Sequence, residues 1–399
     1  MKDDTGDLGP QRSQAERLPT RSEAELQQRQ RSGQLRVRLA ADYRQLVRQQ
    51  GLSQAYDQTD VVVAANAEFT DQASLHLSLG TTDPPIRLRD PQLDGVAALA
   101  GGAGSDLVLP IAGTRADGQR HGGAQVLAAL LAGARVELSA SGDVNPLQPR
   151  RELHTRLSLE QIGMGRLLLH RAIGENGLVA VSSAAGLIRS PYGPLLGPWA
   201  NALYTCGGAD SIGLAMPGLS LLGPGSPVLV GGAIGWVVGS GSAHQPQPRR
   251  LASGHARSPG AVAAVSVDLQ DLDPRWLRAA YFEGHGSGLL VAIAAPVPLL
   301  NGTIARQAAA TDEELEAPVL DISIPRRIKP SFGAVTYSAL KAGSIQVEDR
   351  LIPAAPAHSP RLATAMAAEL VARLVDGSFP LRLPLQPLSQ RPGLIPLEA

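Results

Sequence analysis

Apolar residues follow two patterns along the chain: short apolar runs and the spacing of amphipathic helices. A continuous apolar run at 61–65 is typical of a strand buried on both faces, and the mostly apolar segments 178–182 and 261–267 are also predicted to be strands. Apolar spacing and helix-favouring composition predict helices at 23–31, 40–50, 124–132, 157–169 and 360–376. Strands interspersed with helices indicate an α/β protein with a mixed, largely buried sheet, flanking helices and long glycine-rich loops.

Three local patterns refine this assignment. Ser158 and Gln161 have the spacing of a capping box, which would begin the predicted helix at 157–169. Residues 66–76 are mostly polar and predict a loop after the apolar run that precedes them. Residues 311–315, Thr-Asp-Glu-Glu-Leu, predict a helix N-terminus, because acidic side chains in a first turn complement the helix dipole.

A glycine-rich segment joins two further predicted strands. The strand at 227–230 leads into Gly231 and Gly232, and a second apolar run at 233–238 contains Gly235. Glycines suit a backbone with positive φ or one that closely approaches a ligand. On these residues alone a tight turn between buried strands is favoured over a ligand cradle, because glycine pairs commonly mark turns.

Two other short motifs could carry binding or chemistry. Gly122 and Gly123 precede the helix predicted at 124–132, whose free N–H groups could bind an anion; an ordinary helix entry explains them equally well. Residues 174–177, Gly-Glu-Asn-Gly, are similar to the Ser-Glu-Asn-Gly segment that supplies the catalytic glutamate of coenzyme A transferases. Because the match is only four residues long, an exposed turn after the preceding helix is favoured.

Composition narrows the class of protein. The 399 residues include 44% hydrophobic but only 3% aromatic residues, so a large core must be built mainly from Leu, Val, Ile and Ala. Because the formal net charge is zero, the chain has no excess of positive charge that would attract nucleic acid. The longest uncharged apolar stretch, 287–300, is too short to span a membrane, and the N-terminus lacks a signal-peptide core. We therefore expect a cytoplasmic protein without nucleic-acid or membrane partners.

Cysteine and histidine usage limits the chemistry. Cys206 is the only cysteine, which excludes an intrachain disulfide and cysteine-ligated iron–sulfur clusters. The eight histidines are dispersed without metal-binding spacing, so we expect no metal, and no motif indicates a bound cofactor. Cys206 could act as a nucleophile or persulfide carrier if the following N–H groups stabilised its thiolate; a buried apolar role is the simpler interpretation.

Several segments, taken together, resemble the homocysteine biosynthesis proteins, also described as the homocysteine sulfur-incorporation domain. The segments that carry the likeness are DPPIRL at 83–88, HGGAQVLAALLAGARVEL at 121–138, PRREL at 149–153, VGGAIGWVVGSGSAHQP at 230–246, PVPLLN at 296–301, DEELEAPVLD at 312–321 and VTYSALKAGSIQV at 335–347. They cover roughly 23–388, which we assign to one domain. We predict a disordered tail at 1–22 and an extended tail at 389–399.

The resemblance implies an enzyme that installs sulfur on aspartate semialdehyde to give homocysteine. It also implies a sulfide or persulfide donor and a separate ferredoxin-like protein as reductant. Family members place cysteines near the positions of Asp71 and Leu147, and neither neighbourhood contains a cysteine here. Either Cys206 has taken over, or sulfide or a partner's persulfide attacks directly, or the reaction has changed.

Candidate residues follow from the resemblance and from side-chain chemistry. Arg87 suits a substrate carboxylate, although an ion pair with a neighbour such as Asp90 is the alternative. His244 could serve as acid or base beside Cys206, unless it is a solvated loop residue. The remaining substrate-binding candidates are two side chains that could instead simply cap turns, Asp83 and Asn301, and the backbone donors of Gly122, Gly123, Gly231, Gly232 and Gly235.

Two functions from different classes follow. The first is a sulfur-transfer enzyme acting on a small acidic aldehyde or amino acid. The second is a non-catalytic ligand-binding or regulatory relative that kept the pocket and lost the thiol chemistry. The sequence leaves the substrate, the sulfur donor and the oligomeric state open, and a homo-oligomer is one option.

Overall fold

The computed structural model describes residues 18–102 and 104–397. Its helices include those expected at 23–31, 40–50, 124–132 and 360–376, and none in these ranges is long and apolar enough to cross a membrane. The α-helices are α1 (Glu23–Arg31), α2 (Ala40–Gln50), α3 (Leu52–Asp57), α4 (Gly123–Leu131), α5 (Ile212–Ala215), α6 (Gly302–Ala308), α7 (Tyr337–Lys341) and α8 (Pro360–Val375).

Strands form the larger part of the fold. The strands of the first half are β1 (Val37–Leu39), β2 (Val61–Thr70), β3 (Ala73–Leu79), β4 (Leu88–Leu93), β5 (Val96–Ala97), β6 (Leu99–Ala100), β7 (Asp106–Pro110), β8 (Val136–Gly142), β9 (Glu152–Leu157), β10 (Ile162–Gly174) and β11 (Val179–Val181). Those of the second half are β12 (Gly186–Ser190), β13 (Gly193–Gly197), β14 (Ala202–Tyr204), β15 (Pro227–Val230), β16 (Ala233–Ser240), β17 (Val262–Asp268), β18 (Leu277–Phe282), β19 (Gly286–Pro298), β20 (Glu316–Asp321), β21 (Ser331–Thr336), β22 (Ser344–Val347) and β23 (Arg350–Pro356).

An eleven-stranded sheet is the centre of the molecule. Its order is β1-β2-β19-β15-β16-β17-β10-β3-β7-β6, with β18 added beside β19. Only the β1–β2 pair is parallel among these described strands. Strand β19 is buried along its whole length, which explains the uncharged apolar run in its sequence. Helix α8 packs on β2 and β19, and α4 packs on β18 and β19, so helices flank a mixed sheet as predicted.

A second, six-stranded sheet supplies the other half of the site described below. Its order is β21-β20-β11-β14-β23-β22, with parallel pairs β11–β20 and β14–β23. Strand β11 follows β10 after a short turn, so the chain passes directly from the large sheet into the smaller one. The remaining strands form a four-stranded sheet, β5-β4-β8-β9, and the hairpin β12–β13.

The helix predicted at 157–169 is wrong. The capping box of Ser158 and Gln161 is present, but it begins one turn of 3-10 helix (Leu159–Gln161) rather than an α-helix. The chain then forms β10, which pairs with β3 on one side and β17 on the other. Leu167 and Leu169 are fully buried on one face, so two-sided strand pairing overrides a local helical signal.

Two other local expectations are also wrong. Residues 311–315 form an isolated turn that leads into β20, in which the Glu314 carboxylate accepts the Thr311 N–H at 2.8 Å. The polar stretch at 66–76 is not a loop, because β2 continues to Thr70 and β3 begins at Ala73. Polar side chains are therefore placed on a strand of the central sheet.

The chain ends contact the body where they are described. Of the predicted N-terminal tail, residues 1–17 lie outside the described residues, whereas the Arg21 guanidinium donates to the carbonyl oxygens of Thr59 and Tyr56 at 2.5 and 2.6 Å. At the other end, Gln245 donates to the Leu394 carbonyl at 2.9 Å. The division into one domain and two tails stays a prediction.

Candidate functional site

Cys206 lies at the junction of the two sheets. It follows β14 and lines a cavity of about 140 Å³ whose walls come from β2, β10, β19 and the turn that precedes β11. Its side chain is buried, with 3% of the residue exposed. Gly177 lies directly against it, and a Cβ at Gly177 would overlap the Cβ of Cys206. The turn between β10 and β11 can therefore approach the cysteine only because residue 177 has no side chain.

The environment of Cys206 disfavours a preformed thiolate. Burial raises the pKa of the thiol, and the negative charge of Glu68 raises it further. Contacts with Ser211, with Tyr337 and with the backbone of Gly208 favour the thiolate and offset part of this shift. The N–H groups that follow the cysteine thus contribute, as the sequence suggested, but they do not outweigh burial. Cys206 is a neutral thiol at pH 7 and needs a base to become a nucleophile.

Asn176 holds the cavity wall behind the thiol in place. Its side-chain oxygen accepts the Tyr337 hydroxyl at 2.6 Å and the Gly177 N–H at 2.7 Å. Its amide nitrogen donates to the carbonyl oxygens of Ala256 and Glu316 at 2.7 and 2.8 Å. Because the Asn176 amide makes all four of these hydrogen bonds, its orientation is fixed and this wall of the cavity is rigid.

Glu175 is not in the exposed turn that the sequence favoured. The residue is fully buried, and the element before it is strand β10 rather than a helix. Its carboxylate pairs with Arg250 and accepts the N–H groups of Gly218 and Ala261 at 2.7 and 3.0 Å. Among the described residues, Glu175 does not line the Cys206 cavity, so it anchors the turn whose neighbours form the wall.

Glu68 is the acidic side chain of the cavity and was missed by the sequence interpretation. Burial raises the pKa of its carboxyl to about 7, while the Asn66 amide, which donates at 2.6 Å, and the positive charge of Arg171 act in the opposite direction. Asn66 is itself fixed by the Ile212 N–H at 2.9 Å. A carboxyl with this pKa can both accept and return a proton near neutral pH. Its only sequence signal was a polar residue that continues an apolar strand.

Arg171 and an Asp–His pair complete the polar lining. Arg171 lines the cavity, and its guanidinium has no hydrogen bond or ion pair within the part of the chain that the structure describes. Asp71, close to the position where the resemblance expects a cysteine, lies at the same cavity and contacts His285, with 3.0 Å between Oδ2 and Nε2. Leu147, near the other such position, is 82% exposed.

The arrangement combines a thiol, a proton donor and acceptor, and a cation in one small cavity. Such a set suits addition of a sulfur nucleophile to a carbonyl group of an anionic substrate. In residues 18–102 and 104–397, no group of three or more His, Cys, Asp or Glu side chains could hold a metal ion.

The two glycines at the start of α4, Gly122 and Gly123, are required for close packing. Gly122 and Gly123 lie so close to the carbonyl oxygens of Gly113 and Pro110 that a Cβ on either would overlap them. The Gly123 N–H donates to the Gly113 carbonyl at 2.9 Å, and the next N–H donates to the hydroxyl of Ser287 at 3.1 Å. These helix N-terminal donors have partners within the protein and do not line the Cys206 cavity.

The glycine pair of the central segment forms the tight turn that the sequence favoured. Gly231 and Gly232 have φ of 56° and 84° and connect β15 to β16, packed against Leu272 and Trp276. Gly235 lies within β16, where a Cβ would meet the side chain of Val230. None of these three glycines lines the Cys206 cavity.

The other predicted side chains also lie elsewhere. His244 is fully buried, not solvated, and its Nδ1 accepts the Val262 N–H at 3.0 Å. Asn301 caps α6, accepting the Ile304 N–H at 3.0 Å, which is the alternative role considered for it. Neither His244 nor Asn301 lines the cavity that contains Cys206.

Asp83 and Arg87 belong to the region of the four-stranded sheet. The carbonyl oxygen of Asp83 accepts a hydrogen bond from the Arg150 guanidinium at 2.6 Å. Arg87 is paired with Asp143 at 3.5 Å, not with Asp90, and its Nε donates to the Gly102 carbonyl at 3.1 Å. The structure does not bring Asp83 or Arg87 to the Cys206 cavity.

Comparison with known proteins identifies the group to which the chain belongs. The family model described as homocysteine biosynthesis enzyme, sulfur-incorporation, matches residues 36–381. The chain belongs to this family. The resemblance of the scattered segments is thereby confirmed, and the matched range includes every residue named in the Cys206 cavity.

Two curated proteins to which this chain is similar are both named L-aspartate semialdehyde sulfurtransferase. The L-aspartate semialdehyde sulfurtransferase of Methanosarcina acetivorans is 29% identical over 361 residues, covering 90% of this chain and 70% of the relative. The enzyme of that name from Methanocaldococcus jannaschii is 27% identical over 371 residues, covering 89% and 70% respectively. No solved structure gives a significant match. The chain is therefore a member of a sulfur-transfer enzyme family.

Proposed function

We propose that this protein incorporates sulfur into a small aldehyde, with aspartate semialdehyde as substrate and homocysteine as product. The observation that supports the proposal most directly is that its only cysteine lines a cavity together with a carboxyl of pKa about 7. The relatives' name gives the substrate, and the cavity provides a thiol and a proton carrier suited to carbonyl addition.

The net reaction requires a reductant. With sulfide as donor, R–CHO, HS⁻, three protons and two electrons give R–CH₂–SH and water. With sulfane sulfur held as a persulfide on Cys206, the conversion takes four protons and four electrons and regenerates the thiol. A separate ferredoxin-like protein is our proposal for the source of these electrons.

Glu68 and Cys206 have complementary roles in this proposal. Because the pKa of the thiol is raised, a base must remove its proton before it can accept sulfane sulfur, and the Glu68 carboxylate provides that base. The protonated Glu68 carboxyl then donates to the aldehyde oxygen as sulfur adds to the carbonyl carbon. Phe69, Phe282 and Val291 form an apolar wall of the cavity in which this step takes place.

The test is mass spectrometry of the products formed from aspartate semialdehyde and a chemical reductant by wild type, Cys206→Ser and Glu68→Gln, with sulfide or a low-molecular-weight persulfide as sulfur donor. If Cys206 carries sulfane sulfur, wild type forms homocysteine with the persulfide donor and Cys206→Ser falls to the rate without protein. Equal product from wild type and Cys206→Ser would show that sulfide adds without a protein thiol.

The non-catalytic alternative predicts a different pattern. In that case no variant forms homocysteine, even with a persulfide donor and a ferredoxin-like protein added, while the wild type still binds the substrate. A ligand affinity unchanged by Cys206→Ser would then support a binding or regulatory protein.

A further inference from the structure

We infer that Arg171 binds the carboxylate of the substrate and so restricts the cavity to carboxylate-bearing aldehydes. The inference rests on the proposed function and assigns a specificity-determining residue that the sequence analysis did not name. It is carried by three features of Arg171: its place in an irregular strand, its lack of a partner among the described residues and the charges around it.

Arg171 occupies a bulge of the central sheet. In β10 the pairing with β17 shifts register between Leu169 and Ile173, and the pairing with β3 ends at Leu169. Bulges change the direction of a side chain and are frequent beside active sites. The backbone of the preceding residue, His170, is fixed by hydrogen bonds of 2.9 Å to Gln72 and 2.8 Å from Ser242. The bulge thus holds the Arg171 side chain at the cavity on a rigid element.

The guanidinium of Arg171 has no partner among the described residues, unlike those of three other arginines of the chain. Arg21, Arg44 and Arg250 are also partly or fully buried, and each donates to backbone carbonyls or pairs with a carboxylate. Arg171 is half-buried but makes no hydrogen bond or ion pair to any of the described residues. Because no described group occupies the five N–H donors of this guanidinium, they are available to an anion bound in the cavity.

The neighbouring charges leave Arg171 available. Glu68 interacts with it electrostatically, but the two side chains form neither a hydrogen bond nor an ion pair among the described residues. Asp71, the other acid of the cavity, is paired with His285. The planar guanidinium fork matches a carboxylate bidentately, which is the geometry that the carboxylate of aspartate semialdehyde would require. Arg87, by contrast, is exposed and already paired.

The experiment compares Arg171→Met with Arg166→Met, an arginine on the same strand that donates to Ser266 at 3.1 Å. Both variants and the wild type are assayed for thiol formation from aspartate semialdehyde and from propanal, an aldehyde without a carboxylate. For Arg171→Met we expect KM for aspartate semialdehyde to rise about 10- to 100-fold, the equivalent of a lost charge-assisted hydrogen bond. Turnover of propanal should be unchanged, and Arg171→Lys should restore part of the loss.

Direct binding separates failure of this inference from failure of the proposed function. Isothermal titration of L-aspartate, whose carboxylate and ammonium groups resemble those of the aldehyde, needs no turnover. If the wild type forms no homocysteine but binds L-aspartate with the same Arg171 dependence, the inference holds and the proposed reaction fails. An Arg171→Met protein that folds, as judged by circular dichroism, and keeps wild-type KM or affinity overturns the inference. A wild-type protein that binds neither aspartate semialdehyde nor L-aspartate also overturns the inference.

Discussion

The thiol of Cys206 is buried beside a negative charge, and both conditions act against its ionisation. The same residue is the only cysteine of the chain, so a thiol-specific reagent reports on it alone. Its chemistry at a given pH is therefore decided by the neighbours that tertiary structure assembles, above all Glu68.

Alkylation kinetics should show this control. We expect iodoacetamide to react slowly with Cys206 at pH 7 and about tenfold faster for each pH unit up to the raised thiol pKa. Glu68→Gln removes the negative charge, lowers the pKa of the thiol and should speed alkylation at pH 8 by about 2- to 10-fold. The measurement is mass spectrometry of quenched samples between pH 6.5 and 10.

The matched control is Glu369→Gln, an acid on α8 that pairs with Arg373 away from the cavity. It should leave the alkylation profile unchanged. A profile with an ordinary thiol pKa in the wild type, or no effect of Glu68→Gln, would contradict the assignment.

Among the elements, α6 depends on a cap rather than on its own length. It has seven residues, too few for an isolated helix to be stable, and Asn301 satisfies one of its free N–H groups. Ala305 and Ala308 are buried in the core, so this short helix is held by its cap and its packing.

Replacing the cap should destabilise the protein without touching the Cys206 cavity. Asn301→Ala is expected to lower the free energy of unfolding by about 1 kcal/mol, and Asn301→Asp, which preserves the acceptor, by much less. Urea denaturation followed by circular dichroism measures both, and KM for aspartate semialdehyde should not change. If Asn301→Ala instead raised KM strongly and left the stability unchanged, Asn301 would be assigned to substrate binding.

The error at 157–169 shows how an element can mislead when it is judged alone. Its capping box and apolar residues are helical signals, and the box does form. Strand pairing on both sides then places Leu167 and Leu169 in the core, which a surface helix in that position could not do. No residue within the segment indicates that two strands are available to pair with it.

For the whole molecule, two carboxyl groups make stability depend on pH with opposite signs. Burial raises the pKa of Glu68 from 4.5 to about 7, so folding favours its protonated form and the stability it contributes is lost as pH rises across that range. For Asp60, burial raises the pKa, but the hydrogen bonds from Arg36 outweigh burial and lower it below 3.8. Its contribution is present above that value and is lost as pH falls below it.

We therefore expect maximum stability in weakly acidic solution, with a decline towards pH 7 from Glu68 and a decline below pH 4 from Asp60. Denaturant unfolding between pH 3 and 8 measures both. Glu68→Gln should flatten the decline between pH 5 and 7, whereas Asp60→Asn should lower stability at neutral pH and weaken the acid dependence. An unchanged slope in Glu68→Gln would show that its carboxyl titrates normally in the folded protein.

The sequence by itself determined the family, the α/β class and several of the longer regular elements. Apolar segments predicted β2, β11 and β17, and apolar spacing predicted α8, because these patterns depend on neighbours a few residues apart. The turn at Gly231 and Gly232 was likewise predictable, since positive φ is a local property of glycine.

Only the tertiary structure decided which side chains form a site. Glu68, Arg171 and Cys206 come from three separate elements, and they meet because β2 and β10 lie in the large sheet while β14 lies in the smaller one beside it. Contacts between such distant residues depend on strand order and register, which no short segment of sequence encodes. For the same reason Arg87 and His244, chosen for their chemistry, lie away from Cys206, whereas Arg171 was recognisable only from its place at the cavity.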